Sequence, residues 1–135
     1  MINVVVDTNI IISAALSPKG NPAKIIEFIA DHEEIQIFYS SKIFDEYEKV
    51  LSYKRLNIDN DMKMRTLNLF KKIGILIEPV ISNIPMPDET DRIFYDTAQT
   101  SKSILITGNI KHFPANPFIM TPADFINKVA SSYFL

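Results

Sequence analysis

Apolar positions along this chain alternate between short β-branched runs and longer stretches with a spacing of three and four. Val4, Val5 and Val6 form the first run, which suits a strand buried on both faces. Asp7 ends it, and Ile10, Ile11, Ile12, Ala14 and Ala15 resume apolar character in a helix. Residues 17–22 read as a loop, with Asn21 as N-cap and Pro22 at the first position of a helix carrying Ala23, Ile26, Phe28 and Ile29. A second strand is expected over 35–39. Ser40 or Ser41 then caps a helix whose apolar positions are Ile43, Phe44, Tyr47, Val50 and Leu51. Asp59 caps the next helix, through Leu67, Leu69, Phe70 and Ile73, and Gly74 suits a left-handed C-cap. A short strand at 75–77 follows.

The second half repeats the alternation. Pro79, Pro85 and Pro87 forbid regular structure over 78–90 and predict an extended surface excursion. Asp88 or Thr90 caps a helix through Ile93, Phe94 and Ala98, in which Phe94 and Tyr95 read as packing residues. Strands are expected at 103–107 and, at an edge, 118–120, and a capping box at 121–124 opens the last helix. Regular alternation of strand and helix predicts an α/β chain with a parallel sheet of four to five strands flanked by helices. No repeat or internal boundary is visible, so one domain is expected over 1–135.

Composition narrows the chemistry. A content of 47% hydrophobic residues suits a packed core, and the absence of cysteine removes disulfides and thiolate metal sites. No basic leader precedes the first strand, and no apolar run reaches the roughly 20 residues of a membrane span, so a cytoplasmic protein without membrane contact is expected. A net charge of −2 argues against a uniformly basic nucleic-acid coat. With three glycines, neither a dinucleotide fingerprint nor a phosphate loop can be written. No Gly-x-Ser-x-Gly elbow occurs. A haloacid-dehalogenase-type phosphatase wants Asp at position 9, which is Asn, and a receiver domain wants an Asp after the third strand, where Glu78 and Pro79 stand. His32, in a polar helix exit, reads as a solvated residue. His112 lies near a strand edge but has no histidine at metal-ligand spacing.

Acids remain. Asp7 sits at the carboxyl end of the first strand, the edge where open α/β sheets bind ligands. Glu46 lies in the helix after the second strand, and Asp88, Asp91 and Asp96 lie at the start of the helix before the fourth. Each alone has a plain reading as a helix cap, a first-turn acid or a solvated residue. Together, with few nitrogen ligands and no sulfur, they suit a hard cation such as Mg²⁺ or Mn²⁺ and hence phosphate chemistry.

At these residues the sequence resembles the PIN domain family. The blocks are Val-Val-Val-Asp-Thr-Asn-Ile at 4–10, Ser41 with Glu46 and Tyr47, Asp88-x-x-Asp91-Arg-Ile-Phe-Tyr-Asp96, and Ile-Leu-Ile-Thr-Gly-Asn at 104–109. The likeness is to a bacterial toxin-type PIN subgroup related to the VapC ribonucleases. It implies a PIN-like α/β/α sandwich and an Mg²⁺- or Mn²⁺-dependent endoribonuclease, the toxin of a type II toxin–antitoxin pair, with a small antitoxin and a homodimer as partners. Asp7, Glu46 and Asp91 match the family's acids, with Asp7 and Asp91 as metal ligands and Glu46 acting on the attacking water. Thr107 matches a hydroxyl that bonds the acids, and Thr8 and Asn9 brace the loop around Asp7. The fourth acid falls at Asn109, which adds no charge; Asp88 or Asp96 is the expected compensation. Arg92, Lys111 and Lys42 are expected to position the RNA backbone. The competing reading is a catalytically weakened PIN-like domain that holds RNA or a protein without cutting.

Overall fold

The computed structural model describes residues 1–133; the last two positions of the domain expected over 1–135 lie outside the described residues. Five parallel strands form one sheet, β1 (Ile2–Val6), β2 (Ile35–Tyr39), β3 (Gly74–Leu76), β4 (Ile104–Ile106) and β5 (Ile119–Met120), in the order β3-β2-β1-β4-β5. Val4, Val5 and Val6 are wholly buried, as a central strand covered on both faces requires. Between β1 and β3 run α1 (Thr8–Leu16), α2 (Asn21–Asp31), α3 (Ser41–Leu51) and α4 (Asn60–Ile73). In this layer α1 packs on α2 and α3, and α3 packs on α4. The crossover from β3 to β4 carries α5 (Arg92–Ser101), which lies on β1, β2 and β4; α6 (Pro122–Lys128) follows β5 and packs on α2. Right-handed crossovers put α5 on the face opposite α1 to α4, because the strand order reverses between β3 and β4.

Local chemistry sets most boundaries as expected. Ser40 caps α3 through the Ile43 amide, Asp59 caps α4 through the Asp61 amide, and Thr121 caps α6 through the Asp124 amide. Two expectations are corrected. Gly20, not Asn21, stands at the N-cap of α2, so Pro22 falls at the second helical position. Gly74 is not a left-handed C-cap: its backbone is extended (φ −91°, ψ 158°), and it opens β3 one residue early. Space decides the residue there. A Cβ on Gly74 would come within 2.6 Å of the Phe70 carbonyl oxygen and of the Tyr39 ring. Among the described residues the left-handed positions are instead Asn57 and Lys102, which end a one-turn 3-10 helix (Lys54–Leu56) and α5.

The excursion at 78–90 carries no regular structure until a one-turn 3-10 helix at Glu89–Asp91, as the prolines predict. Its hold on the body is polar. Both carboxylate oxygens of the buried Asp96 accept from Ser82, from its amide at 3.0 Å and its hydroxyl at 2.6 Å. Arg92 donates to the Ser82 and Ile84 carbonyls and to the Ser82 hydroxyl, and pairs with Glu89.

Candidate metal centre

Strand register builds the site. Val6 pairs with Ile106, so the next residues, Asp7 and Thr107, emerge side by side at the carboxyl edge. This is the point where the chain leaves β1 toward one side of the sheet and β4 toward the other, the switch point that opens a ligand crevice in such sheets. The Thr107 hydroxyl donates to Asp7 Oδ2 at 2.8 Å across that gap. Asn9 donates to the same oxygen at 3.4 Å and accepts from the Gly108 amide, joining the loops after β1 and β4. Tyr47 donates its hydroxyl to the Val6 carbonyl, pinning α3 beside the last peptide of β1.

Asp7 occupies the N-cap position of α1, yet its side chain makes no cap bond. The residue is 7% exposed, and burial pushes its pKa up to about 6; the Thr107 bond opposes this, and repulsion from Asp91 adds to it. Asp91 is also raised, first by burial and then by the nearby Asp88 charge, with His112 pulling the other way. Two acids thus resist losing their protons in the same crevice, the arrangement a cation reverses.

Asp7, Thr8, Asn9, Glu46, Asp91 and His112 line one cavity of about 330 Å³, which Arg55 also borders. The structure therefore brings together the three family-matched acids and both bracing residues, with Thr107 behind Asp7. Asp88 lies just outside, exposed, with Oδ1 accepting from the Thr90 amide and hydroxyl, which lower its pKa. Asn109 is exposed, and its amide donates to the Thr107 hydroxyl. Asp96 is not in this cavity, and Ser82 occupies both its oxygens. Its carboxylate serves the excursion, so its expected role as compensating acid has no geometric support. The Arg92 guanidinium is likewise engaged by Glu89, Ser82 and Ile84, whereas Arg55, whose guanidinium lies over the Tyr53 ring, borders the cavity of the acids. Lys42 lines an adjoining cavity of about 390 Å³ that shares Glu46, Thr90 and Phe94 with the first. Lys111 sits exposed on a one-turn 3-10 helix, Ile110–His112.

Three residues at the cavity carry little signal in the sequence. His112 Nδ1 stands 3.4 Å from Asp91 Oδ2, a contact made by the 3-10 turn after β4 and not by any ligand spacing along the chain. Arg55 enters by a similar irregular turn, after α3. The Thr8 hydroxyl is buried and, among the described residues, shares with that of Thr97 the lack of any hydrogen-bond partner. Nothing in the Asp-Thr-Asn motif marks it. His32, expected to be solvated, stacks on the Phe28 ring with centroids 4.0 Å apart. Phe94 and Tyr95 are buried packing residues, as expected.

The donors fit a hard divalent cation. They are carboxylate oxygens with one imidazole alongside, and they include a buried carboxylate whose pKa burial and the neighbouring Asp91 raise; Thr8, in the same wall, carries a buried hydroxyl without a partner.

A model of the PIN domain family matches residues 3–111. The uncharacterized protein MJ1680 of Methanocaldococcus jannaschii is 37% identical over 111 residues, covering 80% of this chain and 71% of that protein. Among solved structures, the chain is similar to VapBC2 from Rickettsia felis bound to a DNA fragment from their promoter. The TM-score is 0.56 with 18% identity, over 89% of this chain and 97% of that one. At that identity the likeness is one of fold.

Proposed function

The chain belongs to the PIN domain family, and from that premise we propose that it is an endoribonuclease hydrolysing RNA phosphodiester bonds with Mg²⁺ or Mn²⁺. PIN domains are generally metal-dependent nucleases. The observation that carries the reading is the buried Asp7 carboxylate at the switch point, facing Asp91 and Glu46 across a cavity open to solvent.

Asp7 and Asp91 would hold the cation, which when bound stabilises charge at phosphorus and lowers the pKa of a coordinated water. The residues of the chain do the rest. Thr107 and Asn9 fix the Asp7 carboxylate through Oδ2, leaving Oδ1 directed elsewhere. Glu46, half-buried between the two cavities, accepts the proton of the attacking water. Arg55 and Lys42 hold backbone phosphates on either side of Glu46, and Lys111 adds charge at the rim. Arg92 acts indirectly, by holding the excursion that walls the second cavity.

A second reading, a domain that binds RNA or a protein without cutting, is favoured by Asn109, which supplies no charge beside Thr107. Cleavage of a mixed RNA pool with Mn²⁺, Mg²⁺ or chelator separates the two. Metal-dependent products that vanish in Asp7→Asn support the nuclease. Silence in the wild type with cutting by Asn109→Asp supports the weakened domain. We further propose a toxin role in the cytoplasm, with a small antitoxin partner by analogy with the VapBC2 complex and a homodimer from the family resemblance. No described helix is long and apolar enough to cross a membrane. Co-purification with the product of an adjacent small reading frame, and sedimentation of the purified chain, test these assignments.

A further inference from the structure

We propose that His112 and Asp88 complete the cation site from outside, so that the ion is held by a mixed nitrogen and oxygen donor set. The proposal rests on the reading that the Asp7 cavity takes a divalent cation. Asp88, Asp91 and His112 each offer a ligand atom, and these atoms lie within 4.8 Å of one another. Donors bound side by side on one ion at about 2.1 Å stand about 3 Å apart, so this set has to close by less than about 2 Å to share one.

Each member is positioned by the backbone. Both bonds that fix Asp88 go to Oδ1, so Oδ2 takes no part in the Asx turn with Thr90. Asp91 is fixed by the start of α5, its amide donating to the Asp88 carbonyl. His112 closes a 3-10 turn whose amide returns to the Asn109 carbonyl. The Asn109 amide in turn bonds the Thr107 hydroxyl, which bonds Asp7. Successive hydrogen bonds therefore tie the backbone of His112 to the buried Asp7 carboxylate. A separate observation lies in the same wall: Thr8, which lines the cavity that Asp7, Asp91 and His112 share, carries a buried hydroxyl without a hydrogen-bond partner.

The plain alternative is an ion pair in which His112 donates Nδ1–H to Asp91. It offsets one negative charge where Asp7, Asp88, Asp91 and Glu46 converge, whereas a divalent ion offsets two and uses the imidazole as a neutral donor. A nitrogen donor also changes metal preference, favouring Mn²⁺ and later first-row ions over Mg²⁺.

Ring-nitrogen NMR with ¹⁵N-labelled histidine tests this on the wild-type chain. It has two histidines, and His32, stacked on Phe28 and lining a different cavity, is the internal control. Saturation with Zn²⁺ is expected to shift the His112 ring nitrogens and leave those of His32 in place. Alongside it, electron paramagnetic resonance gives the Mn²⁺ Kd of wild type, His112→Gln and Asp88→Asn, each expected to weaken at least about tenfold. An unmoved His112 signal at saturating Zn²⁺ overturns the proposal, as does an unchanged Mn²⁺ Kd in a folded His112→Gln variant. If a variant fails to fold, the wild-type ring signal decides. Metal binding and RNA cleavage with His112 silent would overturn this assignment and leave the nuclease standing. A shifted His112 without cleavage would support it and remove the nuclease, and a wild type that binds no metal would overturn both.

Discussion

Replacing Asp7 by Asn should make the metal-free protein more stable, and the gain should depend on pH. Burial raises the Asp7 pKa from 3.8 to about 6, so between those values the folded chain holds a proton that the unfolded chain has released. Unfolding then releases protons, and stability falls as pH rises through this window, levelling above about pH 6 to 7. The difference corresponds to about 3 kcal/mol of destabilisation from one group at neutral pH. Asn carries no charge to desolvate and still accepts from Thr107, but its amide hydrogens enter a pocket built for acceptors. The expected net gain is therefore about 1–3 kcal/mol at pH 7.5, falling toward zero or below at pH 4. For a chain of this size that is on the order of 5–10 °C in Tm. Thermal melts in chelator at pH 4, 5, 6 and 7.5 measure it. Adding Mn²⁺ at a hundred times Kd should close the gap or reverse it, because the wild type gains about 2.7 kcal/mol while the variant gains little. Parallel pH profiles for the two proteins, or an undiminished Mn²⁺ response in Asp7→Asn, would refute the reasoning.

Other substitutions probe what positions the centre. Gly74→Ala sets a Cβ against the Phe70 carbonyl and the Tyr39 ring and should cost about 2–3 kcal/mol in urea unfolding, although no positive φ is involved; a neutral result would mean α4 and β3 separate easily. Ser82→Ala removes the hydroxyl bonded to Asp96 and Arg92, and should quicken proteolysis within 78–87 while Mn²⁺ affinity stays unchanged. Loss of metal binding there would return Asp96 to the centre. Arg55→Ala should lower the slope of RNA affinity against salt by about one, whereas Arg92→Ala should act mainly through stability. Equal slopes for the two variants would contradict the assignment of Arg55.

The fold was legible because its signals are local and agree with one another. Val4 to Val6 can be satisfied only by burial on both faces, and Ser40, Asp59 and Thr121 cap the helices their positions announce. Gly74 was misread because a glycine after a helix has two physical explanations, φ and space, and sequence shows neither contact that decides between them. At the site, Asp7 and Thr107 were legible because strand ends follow from strand pattern and register carries them together. His112 and Arg55 were not, since each arrives on a 3-10 turn whose direction depends on what it packs against.

The acids near the start of α5 show why spacing alone could not assign them. Asp88, Asp91 and Asp96 share one short stretch, and hydrogen-bond demand sorts them. Asp96 is nearly as buried as the core, yet two Ser82 donors meet its charge, so it has no call on a cation. Asp91 is less buried but lies against Asp88 with His112 as its close polar neighbour, and its pKa rises. Burial by itself would have chosen Asp96. What marks a candidate metal ligand is a carboxylate desolvated beside other acids so that its pKa rises, and in this chain that describes Asp7 and Asp91. Asp96 spends its charge holding the proline-rich excursion against α5, which shapes the wall of the neighbouring cavity where the RNA strand would run. The acids of this stretch thus divide by role: Asp96 holds a wall of the groove, and in the proposed nuclease Asp91 would join Asp7 at the cation.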